Sequence, residues 1–161
     1  MLLANSVQNL GINDEAKQYY LEALGSVPAS WLIRNKLAAA YIEEGQPGGA
    51  LSPLQESLAI TKESHLLREA FYLQAKAYRE LGELEAFAYS LEQSLKLNLS
   101  GREAFQAHMD LAEFYANKGD TERVLKHLSQ NISLDPNNPN AYVARGRAYA
   151  AFAIWALSGR L

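Results

Sequence analysis

Apolar positions recur along the chain in three segments of the same shape. Residues 54–60, 91–97 and 128–134 each present leucine or isoleucine at helical spacing, and the first leucines of successive segments are 37 residues apart. Upstream of each segment, a tyrosine is followed four residues later by a glycine. These pairs are Tyr41 with Gly45, Tyr78 with Gly82, and Tyr115 with Gly119. The tyrosine precedes the first leucine by 13 residues in all three units, so the pattern predicts an internal repeat.

Each unit is predicted to contain two helices. Alanine and leucine before each tyrosine fall at helical spacing, and the glycine suits the left-handed residue that ends a helix. The second helices are expected to begin at or near Pro47, Glu83 and Asp120. Alternation with a period of two residues is essentially absent, so the sequence predicts an all-α fold without a sheet.

This pattern resembles the tetratricopeptide repeat (TPR), whose first helix carries a large-x-x-Leu-small-x-x-Tyr run. The tyrosine position is filled by Tyr41, Tyr78, Tyr115 and Tyr149, and the small position three residues earlier by Ala38, Ala75, Ala112 and Gly146. The resemblance implies a right-handed α-solenoid of stacked antiparallel helix pairs across residues 1–161. Its expected divisions are a partial repeat at 1–30, repeats at 31–67, 68–104 and 105–138, and a partial repeat with a C-terminal helix at 139–161.

The spacing departs from that of the family, whose unit has about 34 residues. We expect the three extra residues to lengthen two of the first helices by about one turn at their N-termini. Ser64 is a candidate N-cap for one of them, and Ser100 with Glu103 forms a capping-box pattern for the other.

Composition and charge exclude several classes of function. The 161 residues include 15 Lys and Arg against 18 Asp and Glu, so the formal charge of −3 gives no reason to expect a nucleic-acid partner. There is no cysteine, and hence no disulfide or thiolate chemistry. The apolar start, at residues 1–4, lacks the basic region of a signal peptide, and the longest apolar stretch, at 148–157, is about half the length of a membrane span. The sequence therefore predicts a soluble chain without membrane insertion and favours the cytoplasm.

No grouping of residues predicts catalysis. His65, His108 and His127 are far apart in sequence, and none has a partner at the spacing of a zinc-binding helix motif. His108 falls on a packing position of its helix. Nucleophile-elbow and phosphate-binding glycine motifs are absent. We therefore expect no enzymatic activity, no cofactor and no metal.

The resemblance implies a binding groove, because the first helices of such repeats line the concave side and receive a peptide or a partner helix. Tyr72, Leu73 and Met109 are candidate apolar anchors. The groove is expected to be divided by charge and not to match the carboxylate clamp of chaperone-binding modules. The helix positions outside the packing set, which are the candidate site residues, are Asn35, Lys36, Glu69, Tyr72, Leu73, Lys76, Arg79, Met109, Asp110, Glu113, Asn117 and Arg147, with Ala39, Gln106 and Val143 beside them.

The leading functional hypothesis is a non-catalytic scaffold that binds a protein or peptide. The alternative is an accessory domain excised from a larger enzyme or from a secretion or assembly protein. The apolar residues 148–157 also leave open a homo-oligomer formed through the C-terminal helix.

Overall fold

The computed structural model describes residues 2–157 and, among them, the side chains of residues 14–154 and of Leu157. This part of the chain contains eight α helices and no strand, which confirms the all-α fold class. The helices are α1 (Leu2–Ser26), α2 (Trp31–Glu43), α3 (Pro47–Ile60), α4 (Ser64–Leu81), α5 (Leu84–Lys96), α6 (Gly101–Asn117), α7 (Thr121–Leu134) and α8 (Pro139–Leu157). No helix within these residues is long and apolar enough to span a bilayer.

The helices belong to two compact units, the first ending at Asn98 and the second beginning at Leu99. In the first unit α2 packs on α3 and α4 packs on α5, while α1 lies against α2 and α3 against α4. In the second unit α6 packs on α7, and α7 packs on α8. Within each unit, consecutive helices joined by short turns pack side by side, as expected for helix hairpins. The repeat boundaries themselves stay a prediction.

The turn inside each predicted repeat has the same backbone geometry. Gly45, Gly82 and Gly119 have φ of +71°, +74° and +72°, a left-handed conformation that glycine adopts without strain. In each turn the amide after the glycine donates to the carbonyl of the tyrosine, which is the Schellman closure of a helix. These hydrogen bonds run from Gln46 to Tyr41 (2.9 Å), from Glu83 to Tyr78 (3.0 Å) and from Asp120 to Tyr115 (3.0 Å). The spacing of tyrosine and glycine therefore specifies the same turn in each of the three units.

Two of these tyrosine rings, those of Tyr41 and Tyr115, lie close to the helix that follows the turn. A Cβ atom on Gly49 of α3 would lie 2.6 Å from Cδ1 of Tyr41, so the backbone of α3 lies directly against the ring. At the same register in the second unit, the Arg123 guanidinium lies 4.6 Å from the ring centroid of Tyr115. Tyr149 differs, because it is 55% exposed on α8, and no helix follows α8 within the described residues.

Small residues allow the helices to approach closely in both units. The first unit has a buried cluster of Ala38, Ala50, Leu54, Ala70 and Ala77. In the second unit the most buried apolar residues are Ala104, Ala107, Leu111, Leu128 and Ala141. Three of the four small positions named by the repeat pattern, Ala38, Ala75 and Ala112, are at most 5% exposed, whereas Gly146 on α8 is exposed.

The extra residues of the 37-residue unit lengthen helices, as predicted. Helices α4 and α6 have 18 and 17 residues, against 13 in α2. The predicted caps are wrong in detail. Glu63 and not Ser64 is the N-cap of α4, and Ser100 is the N-cap of α6 without a side-chain hydrogen bond. Gly101 follows with φ of +64°, so the first residue of α6 lacks the helical backbone angles that a capping box requires.

Candidate functional site

The candidate residues of the first unit lie on two neighbouring helices, α2 and α4, which pack on each other. Lys36, Glu69, Lys76 and Arg79 are exposed, so this surface carries three basic groups and one acidic group. Tyr72 is half-buried, and the ammonium of Lys76 lies 5.1 Å from the centroid of its ring. Such a contact orients the lysine over the aromatic face.

Two candidate residues of the first unit are drawn into the interior. Leu73 is half-buried against the cluster that contains Ala38 and Leu54. Asn35 is 1% exposed, and neither its amide nitrogen nor its amide oxygen has a hydrogen-bond partner among the described residues. The structure therefore places Asn35 in the interior and not among the exposed candidate residues, which include Lys36 and Lys76. A buried amide without a partner costs about 1–3 kcal/mol of stability.

The candidate residues of the second unit converge on one cavity of about 540 Å³, which we call the α6–α8 cavity. Met109, Asp110 and Glu113 form its α6 wall, and Arg147 lies on its α8 wall. The remaining lining residues are Gln106, Ala112, Ala116, Val124, Leu128, Ala144 and Ala148. Asn117, at the end of α6, is exposed and does not line this cavity. Four of the five candidate residues in the second unit thus line the same cavity.

The α6–α8 cavity has an apolar floor and charged walls. Ala112, Val124 and Leu128 are buried at its base. On the α6 wall, the side-chain amide of Gln106 donates to a carboxylate oxygen of Asp110 at 2.7 Å. Glu113 is exposed. A pocket with an apolar floor and a few convergent polar groups is the usual form of a binding site.

Two further cavities in the second unit contain none of the twelve candidate residues. One, of about 780 Å³, is lined by Gly101, Arg102, Phe105, Gln106, Leu134, Asp135 and Asn138. The other, of about 320 Å³, is lined by Ala116, Gly119, Thr121, Val124, Ala148, Ala151 and Phe152. Of these three cavities, the α6–α8 cavity is the one that contains any of the twelve residues of the sequence prediction.

Two histidines that looked unrelated in the sequence form a pair between α6 and α7. Nδ1 of His108 lies 2.9 Å from Nδ1 of His127, and the ring of His127 stacks on Tyr115 at 5.7 Å between centroids. His108 precedes the turn at Lys118 by nearly as many residues as His127 follows it. Because α6 and α7 pair on either side of this turn, this near-symmetry in the sequence could have predicted the contact. Among the described residues no three acidic or histidine side chains form a group that could hold a metal ion.

The histidine pair should make the stability of the chain depend on pH. Burial, and then the charge of His127, lowers the pKa of His108 from 6.5 to about 4. Between these two pH values the folded state keeps His108 neutral, whereas the unfolded state binds a proton. The contribution of His108 to the free energy of unfolding is therefore fully present above pH 6.5 and is lost as the pH drops toward about 4. Because the ring is partly exposed, we expect a loss on the order of 1–2 kcal/mol. Chemical denaturation between these pH values measures it.

The matched variants are His108→Gln and His65→Gln, since His65 is exposed. His108→Gln should flatten the pH dependence across this range, whereas His65→Gln should leave it unchanged. Equal pH profiles for His108→Gln and the unmodified chain would show that His108 does not titrate as described.

Known proteins share the architecture of this chain at low sequence identity. No protein-family model matches it. DnaJ homolog subfamily C member 3 of Gallus gallus is 24% identical over 124 residues, which cover 71% of this chain and 24% of that protein. The chain thus spans about a quarter of the length of this curated relative.

Solved structures give the more extensive match. A crystal structure of MamA superposes with a TM-score of 0.72 at 24% identity, covering 89% of this chain and 80% of that one. A chain of the APC/C hetero-tetramer Cut9–Hcn1 gives 0.66 at 21% identity, covering 88% and 27%. A thermophilic TPR protein of Thermus thermophilus, TTC0263, gives 0.59 at 20% identity, covering 88% and 75%. These structures establish the fold of this chain as an all-α helical repeat and confirm the resemblance stated from the sequence.

Proposed function

We propose that this chain, which has the tetratricopeptide-repeat fold, is a non-catalytic scaffold that binds a protein segment in a groove lined by its first helices. One observation carries the proposal: Met109, Asp110, Glu113 and Arg147, chosen from the repeat pattern alone, line a single cavity of about 540 Å³. That volume lies in the range of about 300–1,000 Å³ that is usual for binding pockets.

The lining of the α6–α8 cavity suits binding better than catalysis. Its eleven residues include no hydroxyl, thiol, imidazole or ammonium group, so nucleophiles of the serine, cysteine, histidine and lysine types are missing from it. The carboxylates of Asp110 and Glu113 and the guanidinium of Arg147 can orient a ligand by charge. The apolar floor favours a ligand that buries a hydrophobic side chain.

The surface of α2 and α4 supports the same function in the first unit. Tyrosine and arginine are enriched where proteins bind tightly, and Tyr72 and Arg79 lie on this surface. Because Lys76 packs over the Tyr72 ring, the two side chains form one amphipathic contact.

A second candidate function is that of an accessory module within a larger enzyme or a secretion or assembly protein. The observation that favours it is that the chain spans only 24% of its curated relative. Helix α8 also exposes Ile154 (70%) and Leu157 (87%), which would suit either a further part of a longer chain or a second copy of this one. Sedimentation of the chain with and without Ile154→Glu distinguishes self-association, which the substitution should weaken.

Selection from a phage-displayed peptide library tests the groove. The bait is the immobilised chain, and the groove variants are Tyr72→Ala with Lys76→Ala in the first unit and Ala144→Leu, which narrows the α6–α8 cavity. Their matched controls are Tyr89→Ala with Lys96→Ala on the exposed side of α5, and Ala150→Leu on α8 outside the cavity.

Peptides enriched by the unmodified chain should be lost with at least one groove variant and retained with both controls. Circular dichroism of every variant checks that the helices are intact. If all four variants enrich the same peptides as the unmodified chain, the groove proposal is wrong.

A further inference from the structure

We infer that this chain associates head to tail with further copies of itself, so that helix α8 of one copy pairs with helix α1 of the next as the two helices of one repeat. This association is separate from ligand binding in the groove, since it joins the last described helix to the first. Each of the two helices has the register, the exposed face and the charge that the other needs.

Helix α8 has the register of a first helix, and α2 is its counterpart. In both helices a side chain donates to the carbonyl of the proline six residues earlier, Tyr142 to Pro136 at 3.0 Å and Arg34 to Pro28. The repeat tyrosine of α2 lies against α3, whereas the equivalent Tyr149 of α8 is 55% exposed. Helix α8 therefore presents the face that a second helix covers elsewhere in the chain.

Helix α1 has the register of a second helix, and α3 is its counterpart. Residues 22–24 of α1 read Glu-Ala-Leu where residues 56–58 of α3 read Glu-Ser-Leu, and α1 packs on α2 as α3 packs on α4. Within the described residues no first helix packs on the other side of α1. Three positions that are fully buried in α3 are accordingly only half-buried in α1, namely Ala50 with its equivalent Ala16, Leu54 with Tyr20, and Ser57 with Ala23.

Both helices run past the point at which the other repeats turn. Where the first repeat has Gly45 at positive φ, α8 has Ala153 and continues to Leu157, so it lacks the glycine turn through which a following helix of the same chain folds back. Helix α8 has 19 residues against 13 in α2, and α1 has 25 against 14 in α3. In an antiparallel pair the C-terminal extension of α8 and the N-terminal extension of α1 lie at the same end. The exposed Ile154 and Leu157 would then pack along α1 of the next copy.

The charges of the two helices are complementary in the same register. In the first hairpin Arg34 of α2 pairs with Glu56 of α3 at 2.8 Å. The exposed Glu22 of α1 has the position of Glu56, while Tyr142 of α8 has the position of Arg34 and the guanidinium of Arg145 lies 5.8 Å from its ring centroid. Pairing α8 with α1 thus brings Glu22 to Arg145. Pairing two copies of α8 would instead bring together helices that carry arginine and no acidic residue.

Sedimentation velocity of the full chain over a wide range of concentration tests this association. The average mass of the unmodified chain should rise with concentration, since a heterologous contact can recur from copy to copy. Glu22→Arg and Arg145→Glu should each move the rise to about tenfold higher concentration, because each sets like charges across the contact. The matched controls Glu122→Arg and Lys96→Glu, which reverse exposed charges on α7 and α5, should leave the rise where it was.

Mixing the two charge-reversed variants is the decisive step. Each contact in the mixture again joins opposite charges, so association should return to the level of the unmodified chain, and circular dichroism checks that both variants keep their helices. A mass that stays at one chain at every concentration overturns the inference, as does a mixture that fails to associate. If Glu22→Arg associates like the unmodified chain, α8 meets a surface other than α1 and the inference is wrong. Peptide selection by the groove variants is independent of these outcomes, so the proposed function stands or falls separately.

Discussion

Replacing Lys17 by methionine should reduce the free energy of unfolding by about 3–4 kcal/mol, the cost of breaking a buried ion pair by removing one partner. Lys17 is 8% exposed and joins α1 to the end of α2. Its ammonium forms an ion pair with Glu44 and a second with Asp14 at 2.9 Å, and it lies 5.0 Å from the centroid of the Tyr41 ring. The hydrogen bond to Glu44 is the main reason why the pKa of Lys17 is raised.

The loss should be large because of what remains after the substitution. The side chain of Glu44 is only 2% exposed, and its second carboxylate oxygen has no partner among the described residues. Without Lys17, a buried carboxylate would be left without its principal counter-charge. Chemical denaturation followed by helical circular dichroism measures the change.

Two comparisons show whether the ion pair is the cause. Lys36→Met removes an exposed lysine of α2 and should change stability by less than about 0.5 kcal/mol. Lys17→Met combined with Glu44→Met should recover most of the loss, since both charges are then absent from the interior. If the double variant is as unstable as Lys17→Met alone, packing and not charge explains the effect.

Replacing Asn131 by serine should increase the stability of the chain by about 2 kcal/mol, because it removes a buried amide that has no partner. Asn131 is fully buried on α7, and neither polar atom of its side chain has a hydrogen-bond partner among the described residues. The equivalent positions of the repeat are Ser57 and Ser94, which are also fully buried. The hydroxyl of Ser94 donates to the carbonyl of Leu91 at 2.8 Å, so a serine satisfies itself at this position.

The matched control is Asn117→Ser, since Asn117 is exposed at the end of α6. This control should change the free energy of unfolding by less than about 0.5 kcal/mol. A loss of stability in Asn131→Ser would mean that the space left by the smaller side chain outweighs the removed amide.

The fold could be predicted from the sequence because each local signal agrees with the others. In each unit, the tyrosine marks the end of the first helix, the glycine forms the turn, and the leucine marks the buried face of the second helix. The structure shows the same hydrogen bond closing all three turns. Tyr149 is the exception, since its exposure depends on which helix packs against α8 and not on its own position in the pattern.

The candidate site was predictable in part, since repeat register gives the face of a helix but not the depth of a side chain. Met109, Asp110, Glu113 and Arg147 meet because α6 and α8 line one cavity over α7. Asn35 has an equivalent register to Met109 but is buried, and no local signal distinguishes these two environments. The ion pair of Lys17 with Glu44 joins residues 27 positions apart, and such contacts depend on how whole helices pack.

The most direct test of the central claim is to locate the bound peptide on the molecule by NMR. A library peptide whose enrichment is lost with Ala144→Leu is titrated into the isotope-labelled chain, and the backbone amide signals are followed residue by residue. The account predicts that the largest shifts occur around the α6–α8 cavity, at Met109, Glu113, Ala144 and Arg147, and that they vanish in Ala144→Leu. If only amide signals on the exposed face of α8 beyond Ala150 shift, and the signals of the cavity residues do not change, the account is contradicted.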